Sequence, residues 1–370
     1  MSKRLKIFFI IPTLTAGGAE RIMSYLAENL DDKKFDSKLI VIGNDKNPAY
    51  TITKSKVLFL NKSRVLAGVP KLFSFFQKEK PNIVISSIIH LNATMGFVSI
   101  FFPKITFVGR QSSISHIDAI YNPKKQKKFP SKSLAQYKVW VVRWALHKLD
   151  SIICQSEDMK TDCMNTYGIE SNKLHVIHNP ITGNPKPVMS EKNSSNGKLQ
   201  LIMIGRLVKI KGHERILNVL SRLTKPYRLT IIGKGPEYEN IFSQINELGL
   251  KSKVRYIEFT NEVEKYLAES DYYLQGSYAE GFPNALLESC TMGTPVIAFD
   301  APGGTREIIE HNRNGYIVKN EDDFLFCLNN LGKIDPQLVI KSVMEKFEKN
   351  IILEKYANFF CSIIKPSDSI

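Results

Sequence analysis

Residues 278–300, YAEGFPNALLESCTMGTPVIAFD, carry two glutamates eight positions apart, Glu280 and Glu288. A Gly-Phe-Pro-Asn turn and an apolar segment separate them. Two carboxylates so placed suggest a general acid and base working as a pair. The residues between them fit a second arrangement. Asn284 to Thr291 has a helical pattern, so a helix starts between the carboxylates, and helix N-termini present free N–H groups and a positive dipole end to anions such as phosphate. Glu288, about one turn into that helix, can accept from vicinal hydroxyls such as those of a ribose. Glu280, on the loop, reaches a different part of the same ligand.

Three other strand-to-helix turns carry residues suited to phosphate. In IPTLTAGGAERIMSYL, residues 11–26, a strand ends at Pro12 and Gly17-Gly18 opens a helix. Glycines let backbone approach a ligand without a Cβ in the way, although a plain tight turn explains the pair equally well. The pattern is not G-x-G-x-x-G, and no suitable acid follows a second strand, so a dinucleotide cofactor has little support. In LIMIGRLVKIKGHERIL, residues 201–217, a strand delivers Gly205-Arg206, and Lys211 follows before a helix. An arginine and a lysine at one sheet edge can neutralise a diphosphate without a metal, or are two surface cations. IIGKGPEYENI, residues 231–241, reads chiefly as a structural turn. No D-x-D motif appears, so neither a metal nor another cofactor is expected.

The elements that position these turns are short β-branched runs alternating with helical patterns, twice over. Strands are predicted near 6–11, 38–42, 83–87, 105–109, 151–155 and 174–177, then near 199–204, 228–232, 254–257, 272–275, 295–299 and 316–318. Helices are predicted near 19–30, 67–79, 92–101, 134–148 and 157–166, then near 213–222, 236–248, 261–268, 285–292 and 321–331. Such alternation argues for two α/β domains with doubly wound parallel sheets, and 370 residues suit two domains. The Pro-, Asn- and Ser-rich stretch 179–198 marks the break. The predicted division is 1–182, a linker at 183–197, and 198–350.

The bulk numbers exclude several classes. Five cysteines, at 154, 163, 290, 327 and 361, form no C-x-x-C and leave one over, which reads as reduced thiols in a cytoplasm. The basic, then apolar N-terminus mimics a secretory signal but reads better as a buried first strand. No apolar run approaches the ~20 residues of a membrane span. Residues 1–182 hold 27 basic and 13 acidic residues, whereas residues 183–370 hold 24 and 23, so nearly all of the net +15 lies in the first half. It peaks at Lys124–Lys138, which is either a solvated loop or a contact for an anionic membrane or phosphate-bearing substrate. Nucleic acid is not expected, because the run lacks interleaved aromatics and any module signature.

In order along the chain, GGAER, IICQSEDMK, VIHNPI, GRLVKIKG, EGFPNALLE, GTPVIAFDAPGGTREII and NRNGYIV resemble the retaining glycosyltransferases of family 4, whose signature is the E-x7-E spacing. The resemblance implies a GT-B fold, two Rossmann-like domains facing a central cleft, with the final helix, 351–364, packing back on the first domain. It implies transfer of a hexose or N-acetylhexosamine from a nucleotide sugar, with UDP the expected nucleotide. Arg206 and Lys211 would grip the donor diphosphate, Glu288 the ribose and Glu280 the transferred sugar. Arg206, Lys211 and Glu280 form the expected catalytic set. Gly17, Gly18, Gly205 and the segment Phe282, Pro283, Asn284, Ala285 and Leu286 would meet phosphates and sugar, with the base near Ile257 and Phe259. Two departures stand out. Pro283 replaces the glycine of the commoner pattern and removes one N–H. The loop after the fourth strand has Arg110-Gln111 where many members place a histidine, so the acceptor side is expected to include Arg110, Gln111 and His90, with His116 further along. The expected acceptor is a lipid-diphosphate-linked glycan of a bacterial capsule or O-antigen, at the cytoplasmic face of the plasma membrane. A non-catalytic sugar-nucleotide binder and a sugar-nucleotide epimerase are the rival readings.

Overall fold

The structure is a computed structural model. It describes residues 4–44, 49–50, 52–53, 55–121, 132–183 and 197–365. Most of the predicted linker and of the Lys124–Lys138 run lies outside the described residues. The chain divides into two compact units. Among the described residues, the first takes those up to Ser115, 132–182 and Lys349 onward; the second takes 116–121 and Gly183–Glu348.

The first unit runs β1 (Leu5–Ile11), α1 (Gly18–Asn29), β2 (Phe35–Val41), β3 (Lys56–Phe59), α2 (Val65–Glu79), β4 (Ile83–Ser87), α3 (Ile89–Ser99) and β5 (Thr106–Arg110). After α4 (Ser115–Tyr121) come α5 (Lys132–His147), β6 (Ser151–Cys154), α6 (Glu157–Tyr167) and β7 (Leu174–Val176). The seven strands are parallel in the order β3-β2-β1-β4-β5-β6-β7. Side chains alternate across a strand with period two, and β1 shows it directly. Phe8 and Ile10 join the core under α2, α3 and α6, built with Leu72, Phe76, Met95 and Met159. Ile7, Phe9 and Ile11 join the opposite core with Ile22, Met23 and Leu26 of α1. That second core also holds Ile352, Tyr356 and Phe360 of the last helix.

The second unit runs β8 (Leu199–Ile204), α7 (His213–Ser221), β9 (Tyr227–Ile232), α8 (Tyr238–Glu247), β10 (Val254–Ile257), α9 (Val263–Ala268), β11 (Tyr272–Gln275) and α10 (Asn284–Thr291). β12 (Val296–Phe299), α11 (Thr305–Ile308), β13 (Gly315–Val318), α12 (Glu321–Asn329) and α13 (Pro336–Phe347) complete it. Its six parallel strands have the order β10-β9-β8-β11-β12-β13. α14 (Lys349–Ser362) then belongs to the first unit. Three helix starts follow from their caps: Ser156 accepts from Met159 N, Asn320 from Asp323 N, and Asp335, with Pro336 behind it, from Gln337 N.

In each sheet the strand order reverses beside the first strand of the unit, between β1 and β4 and between β8 and β11. Ligands of open α/β sheets bind beyond the C-terminal ends of the strands at such reversals. The turns after β1, β4, β8 and β11 are therefore the places to look. The sequence reading did not anticipate β3, α4 or α11. Each is short, and β3 is an edge strand whose four residues are only partly covered.

Candidate active site

In the second unit, the turns after β8 and β11 bring Lys211 and Glu280 together. Lys211 Nζ donates to Glu280 Oε1 at 2.6 Å, and Ser277 Oγ donates to the same oxygen at 2.6 Å. The Glu280 side chain is 11% exposed, that of Lys211 27%. Oε2 of Glu280 has no partner among the described residues, so a doubly anchored carboxylate keeps one oxygen for a ligand. Arg206, two residues past the end of β8, is exposed, and no side-chain hydrogen bond or ion pair of it is found among the described residues. A small recess lined by Gly205, Lys211, His213, Gln275, Ser277 and Glu280 lies between these turns.

Backbone packing fixes the turns. Gly212 has φ +56, and a Cβ there would fall 2.0 Å from the Gly276 carbonyl oxygen. A Cβ on Gly233 would meet the Gly205 oxygen at 1.9 Å, and one on Gly235 the Leu207 oxygen at 2.2 Å. The Gly-Lys-Gly turn thus braces the Gly205–Leu207 turn, with Leu207 N donating to Lys234 O at 3.0 Å. Gly303, at φ +115, lies against Glu280: a Cβ would sit 1.7 Å from the Glu280 oxygen. Glu280 N donates to Pro302 O and Gly304 N to Gly281 O, at 2.9 and 3.1 Å. The Pro-Gly-Gly segment therefore clamps the loop that carries Glu280.

α10 starts directly after that loop. Pro283 is its N-cap, at φ −76 and ψ 93, and its carbonyl accepts from Leu287 N at 3.1 Å. A helix start leaves its first N–H groups without intrahelical partners. Proline has none to offer, so the first N–H groups of the helix are those of Asn284, Ala285 and Leu286. Phe282 is buried against Phe347 of α13, with centroids 5.3 Å apart in an edge-on contact. Glu288 is half-buried within α10. Ile257 ends the edge strand β10, its carbonyl accepting from Gly233 N at 3.0 Å, and Phe259 beyond it is 69% exposed.

His213 is the residue that the motif reading passed over. It opens α7 beside Lys211 and is 3% exposed. Burial, then the Lys211 charge, pushes its pKa down to about 4, so the ring is neutral near pH 7. Tyr273 lies deep behind the pair, its hydroxyl donating to Ile204 O at 3.1 Å. Burial, then Glu280 and Glu288, raises its pKa well above the usual tyrosine value. For His213 the available signal was positional, as the first residue of a predicted helix two residues after Lys211; Tyr273, inside a strand, carried none. Ser277, three residues before Glu280, carried none.

In the first unit, Gly17 is the N-cap of α1 and Gly18 its first residue. Tyr50 Oη donates to Gly17 O and accepts from Gly17 N, at 3.0 and 3.2 Å. His90 lies in the first turn of α3, exposed, after Ile88 with the unusual φ of +72. Arg110 and Gln111, expected on the acceptor side, are buried, at 0% and 2% exposed. Arg110 donates through Nε to the Tyr356 hydroxyl at 3.1 Å and through Nη2 to Asn179 Oδ1. Gln111 donates to Ser115 Oγ at 3.1 Å and accepts on its carbonyl from Gln155 at 2.6 Å. Arg110 ends a central strand, so its side chain is drawn under α14 and into the core. His116 lies in α4. Among the described residues, no three His, Cys, Asp or Glu side chains gather as metal ligands.

Residues 16–182 match the family model described as Glycosyltransferase Family 4, and residues 186–325 the model described as Glycosyl transferases group 1. The apo lipopolysaccharide outer core galactosyltransferase WaaB superposes with a TM-score of 0.77, covering 97% of this chain and 99% of that one at 20% identity. The chain is a family 4 glycosyltransferase. Its fold is GT-B. Anabaena HepE in complex with UDP gives a TM-score of 0.76 at 17% identity, covering 97% of the glycosyltransferase and all of that chain. Among curated relatives, the N-acetylgalactosamine-N,N'-diacetylbacillosaminyl-diphospho-undecaprenol 4-alpha-N-acetylgalactosaminyltransferase of Campylobacter jejuni is 24% identical, over 86% of this chain and 87% of that protein. The lipopolysaccharide 1,6-galactosyltransferase of Salmonella typhimurium is 28% identical over 52% of the glycosyltransferase and 56% of its own length.

Proposed function

We propose that this glycosyltransferase moves a hexose or N-acetylhexosamine, with retention, from a UDP-sugar to a hydroxyl of a lipid-diphosphate-linked glycan in bacterial surface polysaccharide assembly. The observation that carries the donor half is the convergence, beyond β8 and β11, of Lys211, Glu280 and the start of α10. Two cations, Arg206 and Lys211, and three N–H groups supply the counter-charge that a departing diphosphate needs. Glu288, further along α10, is assigned to the ribose. Two of the relatives, one a diphospho-undecaprenol-linked transferase and one a lipopolysaccharide transferase, support the acceptor class.

Glu280 holds the sugar in this reading rather than attacking it. Its Oε1 is already engaged by an ammonium and a hydroxyl, which lowers its nucleophilicity and suits it to accepting a sugar hydroxyl on Oε2. The leaving phosphate takes the proton of the acceptor hydroxyl on the same face. No metal is required, because the charge on the diphosphate is met by the protein. The basic first unit, with its Lys124–Lys138 run, contacts the anionic membrane peripherally, at the cytoplasmic side.

The expected outcomes are sugar transfer in excess EDTA and a fall of about 10²–10³ in kcat for Lys211→Ala. Activity lost in EDTA and restored by Mg²⁺ or Mn²⁺ defeats the metal-free mechanism. A covalent glycosyl adduct on Glu280, detected by mass spectrometry of a trapped reaction, defeats the front-face one.

A further inference from the structure

The first unit carries an exposed apolar face that the transfer reaction does not use. Helices α3 and α5 cross where Gly96 lies against Ala145, so closely that a Cβ on Gly96 would sit 1.9 Å from the Ala145 carbonyl oxygen. The residues beside that crossing, Phe97 and Trp144, meet in a tilted contact with ring centroids 5.0 Å apart. Trp140 precedes Trp144 by one turn of α5, and Phe101, in the turn that follows α3, meets Phe73 of α2 edge-on at 5.7 Å. Trp140 is 59% exposed, Phe101 66%, Val139 53%, Ile100 50% and Phe97 40%. Single exposed apolar residues are ordinary, but a connected aromatic stripe marks an interaction surface.

The surroundings of the stripe select the partner. Lys148 Nζ lies 5.1 Å over the Trp144 ring. Between Glu79 and Asp150 the sequence holds a single carboxylate, Asp118, against nine lysines and, apart from the buried Arg110, one arginine. Exposed Trp and Phe within a strongly basic stretch match a bilayer interface, where aromatic rings sit at headgroup depth and lysines meet lipid phosphates. A second copy of the chain fits worse, since a two-fold contact would set this basic stretch against itself.

We propose that the stripe of Trp140, Trp144, Phe97 and Phe101, with Ile100 and Val139, inserts into the headgroup region of an anionic lipid bilayer. This deepens the peripheral contact proposed above by adding an apolar component that survives salt, and it is independent of the donor and the mechanism. The two tryptophans of the chain, Trp140 and Trp144, both lie in the stripe, so tryptophan emission, excited beyond the tyrosine absorption band, reports on it alone.

The test mixes the full chain with phosphatidylglycerol-containing vesicles and with pure phosphatidylcholine vesicles, at about 0.1 M and about 1 M salt. The expected result is co-flotation with the anionic vesicles, a blue shift of the emission, quenching by lipids brominated in the upper acyl chain, and residual binding at the higher salt. In Phe97→Ser/Phe101→Ser, which keeps both tryptophans, the shift and the salt-resistant fraction are lost while thermal melting confirms that the unit is folded. Binding at low salt with unchanged emission overturns insertion and leaves the electrostatic contact standing. No binding to either vesicle overturns both. A dimer in sedimentation that the double substitution disperses, without vesicle binding, assigns the face to a second copy and also overturns the proposal.

Discussion

His213 is held neutral in the native state because burial beside Lys211 pushes its pKa down to about 4, whereas an unfolded histidine titrates near 6.5. The sign of the linkage follows. Above about pH 6.5 both states are neutral, and the native state has its full stability. As pH falls from there toward 4, the unfolded chain takes up a proton that the folded one refuses, and stability drops by about 3 kcal/mol. Urea unfolding across that window should show this loss in the native protein and its absence in His213→Gln; parallel curves for the two proteins would sink the argument. Asp300, Glu310 and Glu79, whose cationic partners hold their pKa values low, act at lower pH and equally in both. At this scale the sequence singled out Glu280 by its spacing to Glu288, and Lys211 by its place after the Gly205-Arg206 turn. It was silent about their being paired with each other, because 69 residues separate them and only the meeting of β8 with β11 closes that distance.

The loop carrying Glu280 is an element held by another element. Its backbone bonds to Pro302 and Gly304, and Gly303 stands where no side chain fits. Gly303→Ala places a Cβ 1.7 Å from the Glu280 carbonyl oxygen at φ +115, so the loop must move. A loss of at least about 1–3 kcal/mol is expected, with kcat falling more than the melting temperature suggests. Wild-type kcat in this variant would show that the clamp is irrelevant to the site. The helix following the loop was readable locally, 285–292 expected against Asn284–Thr291 found, because its apolar spacing and the preceding Pro announce it. The short elements β3, α4 and α11 were not readable. Four to seven residues carry too little periodicity, and tertiary contacts decide whether such segments order.

On the scale of the whole molecule, the chain leaves the first unit, builds the second, and returns at Lys349 to lay α14 on the first sheet. Tyr356 of that helix is buried and takes the Nε–H of Arg110. Tyr356→Phe leaves a buried guanidinium with one partner fewer, so a loss of about 1.5–3 kcal/mol is expected, read as a lower melting temperature with UDP-induced stabilisation preserved; an unchanged melting temperature would argue that solvent replaces the hydroxyl freely. Arg110 also marks the boundary between local and global information. Alternating apolar side chains and repeated strand–helix periods are short-range properties, and they suffice to specify two parallel α/β sheets, their reversal turns and the start of α10. The side on which a strand-end residue finishes, and whether a helix from 246 residues away covers it, depends on packing that no local pattern encodes. That is why the strand carrying Arg110 was expected from its sequence, while the fate of its guanidinium, buried under α14 rather than open to a ligand, was settled only when the chain came back.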